Sequence, residues 1–139
     1  MQVVAKERAR ADAQAAAVVR ERLSSRVQEH GKAVLGLPGG RSVEGMLGQL
    51  AETDPAFSEV ELFFVDERCV ALEDEQSNFT VVRRAFLEPL SAAKSPVPEA
   101  RVHPFYCNGD TEDLGIDAYE REFHRVAQRL DVAVLGVGE

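Results

Sequence analysis

The sequence predicts an α/β fold with a largely parallel sheet and helices on both faces. Three observations predict it. Three apolar runs of strand length, Ala33-Val34-Leu35-Gly36-Leu37, Val60-Glu61-Leu62-Phe63-Phe64-Val65 and Asp131-Val132-Ala133-Val134-Leu135, each lead into small or charged residues. Segments with helical periodicity alternate with these runs. The connections are long enough for right-handed crossovers between parallel strands. The expected architecture is a Rossmann-like three-layer α/β/α sandwich. In such a sheet the strand ends line one crevice where ligands bind.

Residues 5–30 read as a long Ala-rich helix, with Val18, Val19, Leu23 and Val27 near helical spacing and Gly31 as its C-cap. Its Arg and Glu residues form a solvated face. Strand 33–37 follows, and Ser42 opens a second helix with Val43, Met46, Leu47 and Leu50 on one face. Asp54-Pro55 breaks the pattern before strand 60–65. An acidic loop of Glu73, Asp74 and Glu75 reads as a solvated turn, since its spacing matches no metal-binding loop. Ser77 or Asn78 can N-cap a third helix with an apolar stripe of Phe79, Val82, Phe86, Leu87 and Leu90. Residues 91–101, with Ser95-Pro96-Val97-Pro98, read as an exposed connection. A short strand, Val102 to Tyr106, ends in the turn Cys107-Asn108-Gly109-Asp110. A last helix is expected over 111–129, with Ile116, Tyr119, Phe123, Val126 and Leu130 in register, before the strand that begins at Asp131.

No composition shift suggests a second domain, so residues 1–139 read as one α/β domain. Apolar residues make up 45% and charged residues 29%, as in ordinary globular chains. The net charge of −8 argues against nonspecific nucleic-acid binding. Local Arg and backbone N–H groups can still bind an anion. No apolar run approaches the length of a membrane span, and the first 26 residues lack a signal-peptide core. Cys69 and Cys107 form no metal pattern and read as distant reduced thiols, from which a cytoplasmic location follows. His30, His103 and His124 join no catalytic motif and read as surface or structural residues.

Two motifs carry chemistry. Pro38-Gly39-Gly40-Arg41-Ser42 lies between a strand and a helix. Paired glycines permit close backbone approach, and a helix N-terminus offers unpaired N–H groups, so the segment suits a phosphate. Arg41 can add a charge and Ser42 a hydroxyl. The same residues also fit a tight strand-to-helix turn. Asp66-Glu67-Arg68 ends a strand of bulky apolar residues. Such charges are costly to bury unpaired, so they should reach the crevice. There a carboxylate can act as base or orient a hydroxyl, and an arginine can grip an anion. A solvated loop with a local ion pair is the other reading.

In series, these segments resemble the 6-phosphogluconolactonases, within the broader glucosamine-6-phosphate deaminase-like superfamily. Leu37-Pro38-Gly39-Gly40-Arg41-Ser42 looks like an SGGSTP-type loop, and Phe64-Val65-Asp66-Glu67-Arg68-Cys69-Val70 is similar to a strand ending in DER-x-V. Ser77-Asn78, Tyr119-Glu120 and the D-x-x-x-LG-x-G pattern of residues 131–138 complete the resemblance. Arg41 replaces a usual Ser or Thr, Val43 a common Pro, and Ala71 a frequent Pro.

The resemblance implies a 6-phosphogluconolactonase/ribose-5-phosphate isomerase/CoA transferase-like fold. It also implies hydrolysis of 6-phospho-D-glucono-1,5-lactone in the oxidative pentose phosphate pathway, without cofactor or metal. Gly39, Gly40, Arg41 and Ser42 would bind phosphate, Asp66 and Arg68 would orient or polarise the lactone, and Asn78 would support the loop. The family's base, the histidine of a DGH segment, has no counterpart in this chain. The resemblance therefore implies an incomplete C-terminal side and no effective catalysis by residues 1–139 alone. Two other readings stay open. One is a deaminase or isomerase of the same superfamily, against which Arg68 stands in place of tyrosine. The other is a sugar-phosphate effector domain, for which residues 1–30 show no helix-turn-helix.

Overall fold

The computed structural model describes residues 7–52 and 57–136. The expected break at Asp54-Pro55 and the chain end at Val137-Gly138-Glu139 lie outside the described residues. Helix α1 (Arg8–His30) ends at Gly31, whose left-handed backbone (φ 75°) lets its N–H bond Val27 O. Strand β1 (Ala33–Leu37) is buried throughout. Helix α2 (Glu44–Ala51) follows a turn over residues 41–43, so Ser42 precedes the helix rather than opening it. Strand β2 (Val60–Phe64) pairs with β1 in parallel from Ala33 opposite Val60 to Leu37 opposite Phe64.

Ser77 caps α3 (Asn78–Val82), accepting from Phe79 N, as its residue type suggests. A π-helical turn (Arg83–Leu87) joins α3 to α4 (Glu88–Ala92). Helix α5 (Ile116–Val126) leads to β3 (Val132–Ala133), which pairs with β1 on the edge opposite β2. The sheet is parallel, in the order β2-β1-β3.

The period of a strand distributes its side chains to two faces. Ala33, Leu35 and Leu37 of β1, with Val60, Leu62 and Phe64 of β2, meet α1, α2 and the α3–α4 segment in the main core. The predicted helix-facing residues Val43, Met46, Leu47, Leu50, Val82, Phe86 and Leu90 are all buried there. Val34 and Phe63 point to the other face and pack with Ala127 and the α5 aromatics Tyr119 and Phe123. The three-layer expectation holds.

Three element boundaries differ. The strand expected over Val102–Tyr106 reduces to one bridge between Val102 and Leu62, plus the bond from His103 N to Leu62 O. Beyond it the Tyr119 hydroxyl interrupts the ladder: it accepts from Phe64 N at 2.8 Å and donates to His103 O at 3.0 Å. Pro104 also lacks the N–H that a continuing ladder would use. Helix α5 is shorter than 111–129 because Leu114 and Gly115 adopt positive φ of 56° and 94°. Asp113 then caps it, accepting from Asp117 N at 2.7 Å. Ile116, expected on the apolar stripe, is 58% exposed. Paired β3 is only two residues long, and Leu135 is 71% exposed.

The cysteines also differ from expectation. Cys69 and Cys107 are joined as a disulfide, with Cα atoms 5.0 Å apart and no free cysteine among the described residues. The chain brings the loop after β2 against the turn before α5, which sequence distance concealed. The thiol-based argument for a cytoplasmic location therefore falls away. No helix among the described residues is long and apolar enough to cross a membrane.

Candidate functional site

After β1 the backbone passes from buried Pro38 to half-buried Gly39 and Gly40, then to exposed Arg41 and Ser42. The two glycines serve different ends. Gly40 has φ +92°, a conformation that favours glycine, and open space where a side chain would stand. Gly39 has an ordinary φ, but a Cβ there would fall inside the Asn78 side chain. Ser42 makes no cap bond to α2, whose N-cap is Val43. Instead its hydroxyl lies 3.7 Å from where a Cβ on Gly136 would stand, so the ends of the first and third apolar runs meet.

After β2, Asp66 and Arg68 are exposed and Glu67 is half-buried. Glu67 Oε1 accepts from Arg68 N at 2.8 Å and Asn78 N at 2.6 Å. Its Oε2 accepts from Ser77 Oγ and Phe79 N, both at 3.0 Å. Asn78, only 1% exposed, donates from Nδ2 to Asp66 O at 3.0 Å. Its Oδ1 is buried without a hydrogen-bond partner. Arg68 directs its guanidinium to Gln76 O at 2.7 Å. The structure thus gathers Gly39, Asn78 and Asp66 into one contact set, with Ser42 at the third strand end. Arg41 remains exposed, and its carbonyl accepts from Arg8 at 2.9 Å. The acidic triplet at 73–75 is exposed, as its composition suggested.

A cleft of about 390 Å³ opens beside this loop, lined by Asp66, Glu67, Cys69, Phe105, Ile116 and Tyr119 among others. Burial pushes the Tyr119 hydroxyl up to about 12, and the charge of Glu67 adds to the rise. The bond from Phe64 N works in the opposite direction. A neutral phenol is what the arrangement needs, since this oxygen must donate to His103 O.

Sequence reasoning passed over the neighbouring polar cluster. His103 is 5% exposed, stacked on Phe63, and set between Glu61 Oε2 at 2.6 Å and Glu122 Oε1 at 3.0 Å. The signal available was Glu61, a carboxylate inside an apolar strand, which demands a partner. Arg125 is bidentate on Glu122 and, with His103, holds that carboxyl down to about 2. A larger cleft, about 540 Å³, lies at the other end of the strands among Arg26, His30, Lys32, His124, Arg125 and Arg129. Of its cations, Arg125 stands in the last turn of α5, where a positive charge offsets the helix dipole. Lys32 caps Val126 O directly at 2.6 Å. Among the described residues, no three His, Cys, Asp or Glu side chains are grouped to hold a metal ion.

The family model for glucosamine-6-phosphate isomerases/6-phosphogluconolactonase matches residues 6–139. A 6-phosphogluconolactonase of Pseudomonas aeruginosa is 32% identical over 124 residues, covering 89% of this chain and 50% of that protein. The crystal structure of 6-phosphogluconolactonase from Thermotoga maritima superposes with a TM-score of 0.78 at 26% identity, covering 91% of this chain and 56% of that one. That of a 6-phosphogluconolactonase from Shewanella baltica superposes at 0.84 with 24% identity, covering 96% and 55%. The chain spans about half the length of the curated relatives it matches.

Proposed function

The chain belongs to the glucosamine-6-phosphate isomerase/6-phosphogluconolactonase family, and on that premise we propose that the protein hydrolyses 6-phospho-D-glucono-1,5-lactone to 6-phosphogluconate. One observation carries the reading: Asn78 ties the Gly39 loop to Asp66 at the strand ends, so both predicted motifs border one place. Arg68 in that loop, where deaminase relatives would present tyrosine, favours the lactonase over the deaminase.

In this reading Gly39, Gly40, Arg41 and Ser42 hold the substrate phosphate. The open backbone at Gly40 permits close approach, and the exposed Arg41 and Ser42 add charge and a hydroxyl. Asp66 and Arg68 orient and polarise the lactone carbonyl as water attacks and negative charge grows on its oxygen. Arg68 would exchange its bond to Gln76 O for the substrate. Asn78 braces the two loops.

The general base is assigned to none of the three histidines here. His103 is committed to Glu61 and Glu122, His124 pairs with Glu120 at 3.6 Å on an exposed face, and His30 lies at the far end of α1. A charged sugar phosphate crosses no bilayer unaided, so the protein would act in the compartment that forms the lactone, proposed here to be the cytoplasm. The test is a lactonase assay on the full-length polypeptide, corrected for spontaneous hydrolysis, beside a glucosamine-6-phosphate deaminase assay. Lactone hydrolysis above background without deamination is expected. The reverse pattern overturns the reading.

A further inference from the structure

We propose that Glu67 is a positioning residue, holding the two strand-end loops in register for the reaction without itself taking a proton. The proposal rests on the lactonase reading above. A carboxylate offers about four lone-pair sites. Glu67 uses them on four donors: Arg68 N, Asn78 N, Ser77 Oγ and Phe79 N, at 2.6–3.0 Å. No acceptor site is left to draw a proton from water. That separates Glu67 from Asp66, the exposed carboxylate one residue earlier.

The partners define what Glu67 does. Asn78 N and Phe79 N belong to the first turn of α3, where backbone N–H groups lack helical acceptors. A negative charge is favoured there. Glu67 supplies it from the preceding loop, so it welds that loop to the helix. Arg68 N, bound by the same carboxylate, fixes the backbone from which the Arg68 guanidinium extends. Asn78, fixed at its backbone by Glu67, carries the side chain that reaches Asp66 O and packs on Gly39. One carboxylate thus sets Arg68 directly and the glycine loop through Asn78. Because Glu67 already takes Asn78 N and Phe79 N at the start of α3, the open loop at Gly40 is the better place for a substrate anion.

The experiment uses the full-length polypeptide with Glu67→Gln, Glu67→Asp and Ser77→Ala, measuring kcat, KM, the pH profile and thermal stability. Gln keeps the shape but turns an amide donor toward a set of donors. Misplacing a reacting group by a fraction of an ångström is costly, so kcat should fall by about tenfold or more. KM should stay within about threefold, because the phosphate grip is retained. The midpoints of the pH profile should not move. Glu67→Asp, which keeps the charge, should recover part of the loss, and Ser77→Ala should cost less than either.

A folded Glu67→Gln variant with parental kcat overturns the proposal and leaves Glu67 as a stability residue only. Loss of one limb of the pH profile also overturns it, making Glu67 the base. If Glu67→Gln does not fold, the other two variants decide by the same kcat criterion. A parent without lactonase activity defeats the underlying reading and this role together. An active parent with indifferent variants defeats this role alone.

Discussion

The loop after β1 and the loop after β2 end neighbouring parallel strands, yet they are held in different ways. Residues 39–42 owe their shape to a left-handed glycine, a turn into α2 and the contact of Gly39 with Asn78. Residues 66–68 owe theirs to a saturated carboxylate and an arginine bonded to Gln76 O. The difference matters for ligand binding. A loop whose donors are already satisfied gains little from an added anion. A loop with open space above a backbone turn can take one. The contrast favours the proposed reading, in which the first loop takes the phosphate and the second carries the polarising groups.

The largest expected effect breaks the second loop's chemistry. Arg68→Lys in the full-length polypeptide keeps the charge but loses the planar fork. It should lower kcat/KM on the order of a hundredfold if Arg68 meets the developing oxyanion. Steady-state kinetics check this, and a parental rate would return Arg68 to its bond with Gln76 O as a purely structural residue.

A smaller effect tests the contact between the loops. Gly39→Ala forces Asn78 to move, at a cost of about 2–3 kcal/mol by analogy with overpacked cores. Asn78→Ala removes the obstacle. The double variant should then be more stable than the sum of the two single effects predicts, since the residues touch. Denaturant titration of the four proteins measures this coupling. Strict additivity would mean that Gly39 is free of Asn78 and is kept for another reason.

How far the sequence revealed this arrangement differs between the loops as well. β1 is read to its residue limits, and Val82, Phe86 and Leu90 of the expected stripe are buried with Phe79 and Leu87 partly buried beside them, because burial on a sheet or helix face leaves a direct periodic trace. Ser77 as N-cap is equally local. What escaped is nonlocal. Glu67 reads as one of three charges, and only the fold reveals that α3 returns its N-terminus to that carboxylate. Cys69 and Cys107 read as separate thiols because their separation of 38 residues says nothing of a Cα distance of 5.0 Å. The strand expected over 102–106 had the right composition. It failed because the tyrosine hydroxyl of a later helix took the backbone groups that would have extended the ladder.

That hydroxyl supplies the smallest of the expected effects and bears on the edge of the second loop. Tyr119→Phe keeps the ring contacts with Phe63 and Phe105 but strips the partner from Phe64 N and His103 O. The loss should be about 1–2 kcal/mol at neutral pH, the usual cost of leaving such buried groups unpaired. The pH dependence gives an independent check. The folded hydroxyl titrates at about 12 against an ordinary 10.0, so the folded state holds this proton more tightly than the unfolded chain does. Its contribution is complete below pH 10 and is lost as pH rises toward 12. Phenylalanine has no proton to lose. Thermal melts should therefore show the largest gap between parent and variant at neutral pH and a narrowing gap through that window. No gap between parent and variant at any pH up to 12 would mean that Tyr119 acts through its ring alone. The end of β2 would then be held against α5 by ring packing on Phe63, without need of the hydroxyl bond to Phe64 N.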